Sequence, residues 1–296
     1  MSAITVTKRS LFWGGPTSSR EYGQALSLLL VAPLLLLLCT AFLYPLAGLF
    51  WGSVFAPEAT LKHYLRVLQE PLYLLILWRT FELAFIVTVL ALLLGYPVAL
   101  AMARVSGRAA MLIGACVLIP LWTSVLVRSY AWIVLLQRNG LVNTSLHEAG
   151  LIEAPLQLLY TQGAVVVAMT QVLLPFMVLP IYSVVRSIPD DLTRAARNLG
   201  AGGLQAFLRV TLPLSLPGVS AGVLITFILS LGFYITPALV GGPRTLMMST
   251  LIGQQTTELL NWSFAGALSA VLLLTTLFLV VVFRRTLALN RGLKLG

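Results

Sequence analysis

Charged residues are scarce in this sequence, and cysteine and histidine are scarcer still. Of its 296 residues, 9% are charged and 59% are hydrophobic, a balance that excludes an ordinary soluble domain. The two cysteines, Cys39 and Cys116, lie inside apolar runs, where they behave as small hydrophobic residues. The histidines, His63 and His147, lie in polar loops without a second ligand at useful spacing. These residues therefore predict neither a disulfide framework nor a metal site.

The sequence also lacks the short motifs of common hydrolytic enzymes. It contains no G-x-x-x-x-G-K-[ST] phosphate loop, which excludes ATP hydrolysis by the usual route. It contains no H-E-x-x-H, no G-x-S-x-G and no pair of facing helical carboxylates, so a membrane-bound enzyme would have no catalytic constellation. Energy for active transport would have to come from another polypeptide.

Long apolar runs are what the sequence has in abundance. Several approach or exceed the roughly 20 residues that cross a hydrocarbon layer about 30 Å thick. They predict an all-α membrane protein with six transmembrane helices, at about 25–50, 74–103, 109–136, 163–185, 216–236 and 263–283. Pro120 predicts a kink in the third helix. Glycines in the fifth helix predict close helix contacts, at Gly218, Gly222 and Gly232.

The net charge of +10 comes from four basic segments and not from one continuous surface. They lie at 8–21, 104–108, 186–218 and 284–294, and the rest of the chain has as many acidic as basic residues. Basic segments that alternate with neutral ones follow the positive-inside rule. We therefore expect both termini in the cytoplasm and 137–162 outside, and we expect no nucleic-acid partner.

Residues 186–218, hereafter the 186–218 loop, are the longest polar interruption in the second half of the chain. Apolar residues recur there at i, i+3, i+4 and i+7 on one helix face: Leu192, Ala195, Ala196 and Leu199. Asp190 or Asp191 is expected to cap this helix, and Gly200 to end it in a left-handed conformation.

A second short helix is predicted at about 204–210, with Leu204, Phe207 and Leu208 on one side, before Pro213 and Pro217 mark the return to an apolar segment. The pattern alone leaves two interpretations open. The helix pair could lie on the lipid surface, or it could be held by a partner protein.

The residues Ala195-Ala196, Gly200 and Leu212-Pro213 have the spacing of the cytoplasmic "EAA" loop, so the chain resembles permeases of binding-protein-dependent ABC importers. This resemblance implies a type I ABC importer permease (MetI-like) architecture and a coupling helix that docks on an ATP-hydrolysing subunit. It also implies a set of ATPase-coupling residues, namely Asp191, Leu192, Arg194, Ala195, Ala196, Leu199, Gly200, Phe207, Leu212 and Pro213. The sequence departs from the family at Arg194, where a glutamate is expected.

Two further runs are similar to the spermidine/putrescine branch of that family. One is PLWTSVLVRSYAW with the later Gly140-Leu141-Val142-Asn143, and the other is GFYITPALVGGP with Asn261-Trp262. The resemblance covers roughly 74–285 and implies import of a polyamine or a related small organic solute. It implies as partners a second permease chain, two ATP-binding subunits and a periplasmic or lipid-anchored solute-binding protein. ATP and Mg would be bound by the ATP-binding subunits, and this chain would hold no cofactor.

The resulting organisation is that of a multi-pass protein of the bacterial inner membrane. We expect a cytoplasmic arm at 1–25, a first transmembrane helix with an outer loop at 26–73, a permease core at 74–285 that includes the 186–218 loop, and a cytoplasmic tail at 286–296. A self-sufficient channel or secondary transporter is the alternative. The docking loop, the absence of an intramembrane proton relay and the absence of an internal repeat in the sequence favour the importer.

Ionisable and aromatic residues at membrane depth are candidates for the solute path. Glu82 either is neutralised by Arg79 on the same helix or faces the path and attracts a cation. Arg128 either lines the path or anchors the helix at the outer interface. Aromatic residues of membrane proteins mostly lie at the membrane interface or in helix packing, which is the ordinary interpretation of Trp122, Tyr130 and Tyr234. They would suit an ammonium group if they faced an aqueous cavity.

Overall fold

A computed structural model describes residues 24–55 and 60–292, nearly all of them helical. The predicted arm lies outside the described residues up to position 23, and the predicted tail lies outside them beyond Gly292. The chain forms two compact units, Met1–Gly48 and Leu49–Gly296.

The first unit holds α1 (Gln24–Leu38), a π-helical turn at Cys39–Leu43 and the start of α2 (Tyr44–Val54). Every described side chain from Leu29 to Pro45 is exposed, although most of them are apolar. An exposed apolar surface of this kind is stable only where the surrounding solvent is lipid. This agrees with the predicted first transmembrane helix.

The second unit contains the remaining helices. In chain order they are α3 (Lys62–Gln69), α4 (Pro71–Arg104), α5 (Gly107–Trp122), α6 (Val125–Leu136), α7 (Leu141–Glu148), α8 (Gln162–Ser187), α9 (Asp190–Asn198), α10 (Gly203–Ala206), α11 (Leu212–Leu231), α12 (Ile235–Val240), α13 (Met248–Thr257) and α14 (Trp262–Gly292). Five helices in the described part of the chain are long and apolar enough to cross a membrane, and a bent helix pair brings the total to as many as six. The predicted number of spans agrees with this upper count.

The predicted single third helix is wrong, because the structure breaks it into α5 and α6. The two segments are bent by 103° at residues 123 and 124, and the second segment of that bent pair runs on to Glu148. Thr123 and Ser124 have extended backbones, and the Thr123 hydroxyl donates to the Pro120 carbonyl at 2.9 Å. A proline ring inside a helix removes one backbone hydrogen bond and crowds the preceding turn. The helix here ends two residues after Pro120, whereas α4 and α8 continue past their own prolines, Pro97, Pro175 and Pro180.

Three helices, α4, α8 and α11, form the packed centre of the second unit. Their close approach depends on glycine: a methyl group on Gly218 would lie 2.8 Å from the Pro180 carbonyl oxygen, and one on Gly222 would lie 2.9 Å from the Met177 Sδ. The predicted close contacts are confirmed at these two positions. The prediction is wrong for Gly232, which follows the end of α11 and where an added methyl group would have no atom within 4 Å.

The segment after α11 folds as short pieces and not as a continuation of the span. The fifth predicted helix therefore ends at Leu231 and not at 236, and α12, a 3-10 turn at Pro243–Thr245 and α13 follow it. The Met248 amide at the start of α13 donates to the Thr80 hydroxyl of α4 at 2.8 Å. The segment is thus anchored on a membrane span.

Candidate functional site

In the 186–218 loop the end of α8 is followed by α9, none of whose residues is buried. Pro189 precedes the helix with an extended backbone, and Asp190 and Asp191 occupy the first turn. The predicted side-chain cap by an aspartate is wrong, since no side chain accepts a bond from the start of this helix. Both carboxylates instead stabilise α9 through its dipole, whose positive end lies at this turn.

The end of α9 is a double hydrogen-bonded cap that requires glycine. Gly200 has a φ of +89°, which confirms the predicted left-handed conformation. Its amide donates to the Arg197 carbonyl at 2.9 Å, and the Ala201 amide donates to the Ala196 carbonyl at 3.0 Å. This pair of bonds is the Schellman motif, which satisfies the last carbonyls of the helix and reverses the chain sharply.

The second helix of the loop is continuous with a membrane span. A π-helical turn at Phe207–Thr211 joins α10 to α11, so one helical stretch runs from Gly203 to Leu231. In this wider turn the Leu212 amide donates to the carbonyl of Phe207, five residues earlier, and not to the carbonyl four residues earlier as in an α-helix. The helix therefore passes Pro213 without a break. The predicted separate helix at 204–210 is therefore an extension of the fifth span.

The π-helical turn also separates residues that were predicted to share a side. Leu204 and Leu208 are exposed, whereas the Phe207 ring packs edge-on against Tyr96 with ring centres 5.9 Å apart. The Tyr96 hydroxyl lies 2.9 Å from the Ser215 hydroxyl, which ties α4 to α11. Phe207 thus fastens the loop to α4, and Leu212 and Pro213 are half-buried at the start of α11.

Helix α9 has no buried residue, and its two main faces differ. The predicted apolar face is present: Leu199 is 89% exposed, and it borders a groove of about 330 Å³ together with Ala196, Gly200 and Val210. Leu192 and Ala195 are exposed as well. Exposed apolar surfaces of this kind mark sites of interaction with another protein or with lipid.

The opposite face of α9 lines a basic cavity of about 610 Å³, hereafter the arginine cleft. Residues at i, i+3, i+4 and i+7 line it: Asp190, Thr193, Arg194 and Arg197. The inner ends of α4 and α8 supply Arg104 and Arg186. Arg194, the departure from the family, therefore lies on the cleft face, where it makes a 4.0 Å ion-pair contact with the exposed Asp191.

The predicted path residues are not brought together in one place. Glu82 and Tyr130 are exposed, and Trp122 is 92% exposed at the end of α5. The Nε and Nη1 atoms of Arg128 are buried and have no hydrogen-bond partner in the described part of the chain. Of these residues, Tyr234 lines a cavity.

That cavity, hereafter the Tyr234 cavity, has a volume of about 320 Å³ and lies among α12, the 3-10 turn and α13. The Tyr234 ring is pressed on the α13 backbone, since a methyl group on Gly253 would meet the ring edge. Gln254 on α13 and Glu258 just after its end, four residues apart, also line the cavity. Glu258 follows the last residue of α13, so the negative end of the helix dipole adds to the charge of its carboxylate.

Comparison with known proteins connects this geometry to a family. The sequence pattern of the family described as "binding-protein-dependent transport system inner membrane component" matches residues 91–294. The chain belongs to this family. The spermidine/putrescine transport system permease protein PotB of Haemophilus influenzae is 35% identical over 245 residues, 82% of this chain and 85% of that protein. PotB of Escherichia coli is 34% identical over 271 residues, 91% of this chain and 97% of that protein.

Solved structures show the same architecture. A bacterial alginate ABC transporter, in complex with an alginate pentasaccharide-bound periplasmic protein, has a TM-score of 0.72 at 19% identity, covering 88% of this chain and 92% of that one. The MetNI methionine ABC transporter in inward-facing form has a TM-score of 0.56 at 21% identity, covering 73% and 96%. At these identities the likeness shows the fold, which is that of a type I ABC importer permease. The chain is a multi-pass inner-membrane permease subunit and not an enzyme.

Two sets of residues are not predicted from the sequence. Gln254 and Glu258 form one set, although two polar residues at i, i+4 in a mostly apolar stretch are a signal that could have found them. Arg104 and Arg186 form the other, because the basic segments by themselves indicate only the cytoplasmic side. Their convergence with α9 depends on how α4 and α8 pack together, which the sequence pattern does not contain.

Proposed function

We propose that this chain forms one half of the translocation path of an ATP-driven importer for polyamines such as spermidine and putrescine. The observation that carries this proposal is the exposed apolar face of α9, on a helix fixed between two membrane spans. A chain without a phosphate loop cannot hydrolyse ATP by the usual route, so active transport through it needs an ATP-hydrolysing partner. The apolar face of α9 gives an ATP-binding subunit a rigid surface to bind.

The coupling step follows from the way α9 is held. One end of α9 follows α8 almost directly, and the other is joined through the Gly200 cap to the helix that continues into α11. When ATP and Mg bring two ATP-binding subunits together, a displacement of α9 is passed to both spans. A second permease chain would move in the same way, and the path between the two would open alternately to each side.

The remaining partners and the orientation belong to the same proposal. A solute-binding protein would deliver the polyamine outside, and both termini would be cytoplasmic. A single cysteine in place of Ser145 should then react with an impermeant reagent added outside, and one in place of Ser106 should not. The reverse labelling pattern would contradict the orientation.

A cationic solute is supported by the PotB relatives and by the Tyr234 cavity. Neither Gln254 nor Glu258 has a hydrogen-bond or ion-pair partner among the described side chains, so both are available to a ligand. A carboxylate, an amide oxygen and an aromatic ring are the groups that bind an ammonium ion. We place Glu258 and Tyr234 on the path, and Glu82, Trp122, Arg128 and Tyr130 remain proposed path residues.

Uptake of labelled putrescine and spermidine tests this function. A strain that lacks this chain, and has no redundant importer, should lose uptake at low concentration and regain it with the restored gene. Unchanged uptake would refute the proposal that the imported solute is a polyamine. Loss of uptake of another small organic solute in the same strain would leave the importer but change its substrate.

A further inference from the structure

The arginine cleft has no part in the docking face or in the Tyr234 cavity. Four guanidinium groups line it, from Arg104, Arg186, Arg194 and Arg197, and Asp190 is the one carboxylate among the described lining residues. Four like charges around one cavity repel one another, and the repulsion is strongest where protein displaces water. An anion bound in the cleft would relieve it.

Neutral groups hold two of the arginines in place. The Arg104 Nη2 donates to the Thr211 hydroxyl at 3.1 Å, and the Arg186 Nη1 donates to the Ala103 carbonyl at 3.2 Å. These bonds fix the side chains but leave their charge available, since neither acceptor is ionised. Each guanidinium has five N–H groups, so donors remain for a ligand.

The position and the floor of the cleft indicate the class of anion. Ala103, Val185 and Ile188 make part of its wall apolar. The cleft also lies where the spans α4 and α8 end, at Arg104 and Ser187, and the ends of membrane-spanning helices lie near lipid headgroups. Basic pockets between the cytoplasmic ends of membrane helices suit anionic phospholipids, because guanidinium groups bind phosphate oxygens in pairs.

We propose that the arginine cleft binds the phosphate group of an anionic phospholipid. Arg104 and Arg186 contact it from the spans, and Arg194 and Arg197 contact it from α9. The phosphate thereby links the coupling helix to the membrane core, and it accounts for an arginine at position 194. The inference does not depend on which solute is imported.

The test measures phospholipid retained by the complex purified in detergent. Mass spectrometry should find about one phosphatidylglycerol per chain that survives washing. The double variant Arg104→Gln, Arg186→Gln should lose it. Arg108→Gln is the matched control, because it removes one charge from the same side of the protein but lies outside the cleft lining. Arg104→Lys with Arg186→Lys keeps the charge and should retain part of the lipid even if the glutamine variant folds poorly.

Inorganic phosphate distinguishes the two sources of the ligand. If the lipid is the source, added phosphate should not displace phosphatidylglycerol. A different result would be binding of inorganic phosphate that the double glutamine variant abolishes and Arg108→Gln does not. The cleft would then be a site for soluble phosphate, which would overturn the proposal that it binds a phospholipid. Equal retention of lipid and phosphate by wild type and the double variant would overturn the proposal. So would loss of the ATP-binding subunit in the double variant without a change in either ligand, because acidic groups of that subunit would then occupy the cleft.

Discussion

Helices α8 and α9 are consecutive in the chain and have opposite surroundings. In α8, 67% of the most apolar stretch is buried inside the chain, while α9 has no buried residue. The buried side of α8 packs against α4 and α11. The apolar face of α9 has no such partner in the described chain. This difference distinguishes the residues that hold the permease together from those that we propose bind the ATP-binding subunit.

The largest effect on stability is expected when a side chain is added to the packed interface between α8 and α11. Gly218→Ala would place a methyl group 2.8 Å from the Pro180 carbonyl oxygen, so we expect a loss of about 1–3 kcal/mol of stability. Gly232→Ala is the control, since nothing lies within 4 Å of the added group. The thermal unfolding midpoints of both variants are measured in detergent. Equal midpoints would show that α8 and α11 are not closely packed at Gly218.

The next effect concerns the end of α9. Gly200→Val forces a branched residue into a left-handed conformation, at a cost of about 1–2 kcal/mol, although there is space for its side chain. We expect normal membrane insertion and loss of solute-stimulated ATP hydrolysis in the reconstituted complex. Gly202→Val is the matched control, because Gly202 has a φ of −64° and equal space. Normal stimulation in Gly200→Val would remove the cap from the coupling mechanism.

The cap was predictable from sequence, whereas the helix after it was not. Gly200 follows an i, i+3, i+4, i+7 pattern directly, so local chemistry decides its conformation. The continuity from Gly203 to Leu231 depends on a π-helical turn at Phe207–Thr211 that Tyr96 supports from another helix. The same limit applies to the arginine cleft, which brings Arg104 of α4 next to Arg186 of α8 through packing between segments that are distant in sequence.

A moderate effect is expected in the Tyr234 cavity. Replacing Glu258 by glutamine removes one charge from a proposed cation site, which corresponds to about 1 kcal/mol or a roughly fivefold lower rate of putrescine uptake. Glu148→Gln removes a similarly exposed carboxylate at the end of α7 and should have no effect. The initial rate of labelled uptake compares them. Equal rates in the two variants would remove Glu258 from the path.

The smallest effect is expected at the ion pair on α9. Asp191 and Arg194 are 4.0 Å apart, and their side chains are 91% and 74% exposed. Exposed pairs contribute about 0–1 kcal/mol, so Asp191→Asn should barely change the unfolding midpoint or the attachment of the ATP-binding subunit. A large loss of attachment would mean that the Asp191 carboxylate contacts the partner directly.

The central claim is that the apolar face of α9 binds the ATP-binding subunit, and photochemical crosslinking tests it most directly. A photoreactive benzoylphenylalanine in place of Leu199 is compared with one in place of Leu141, which is 65% exposed at the start of α7. Both are illuminated in intact cells, and the crosslinked partner is identified by mass. We predict a crosslink to an ATP-binding subunit from position 199 and none from position 141. No crosslink from 199, or the same crosslink from both positions, would contradict the claim.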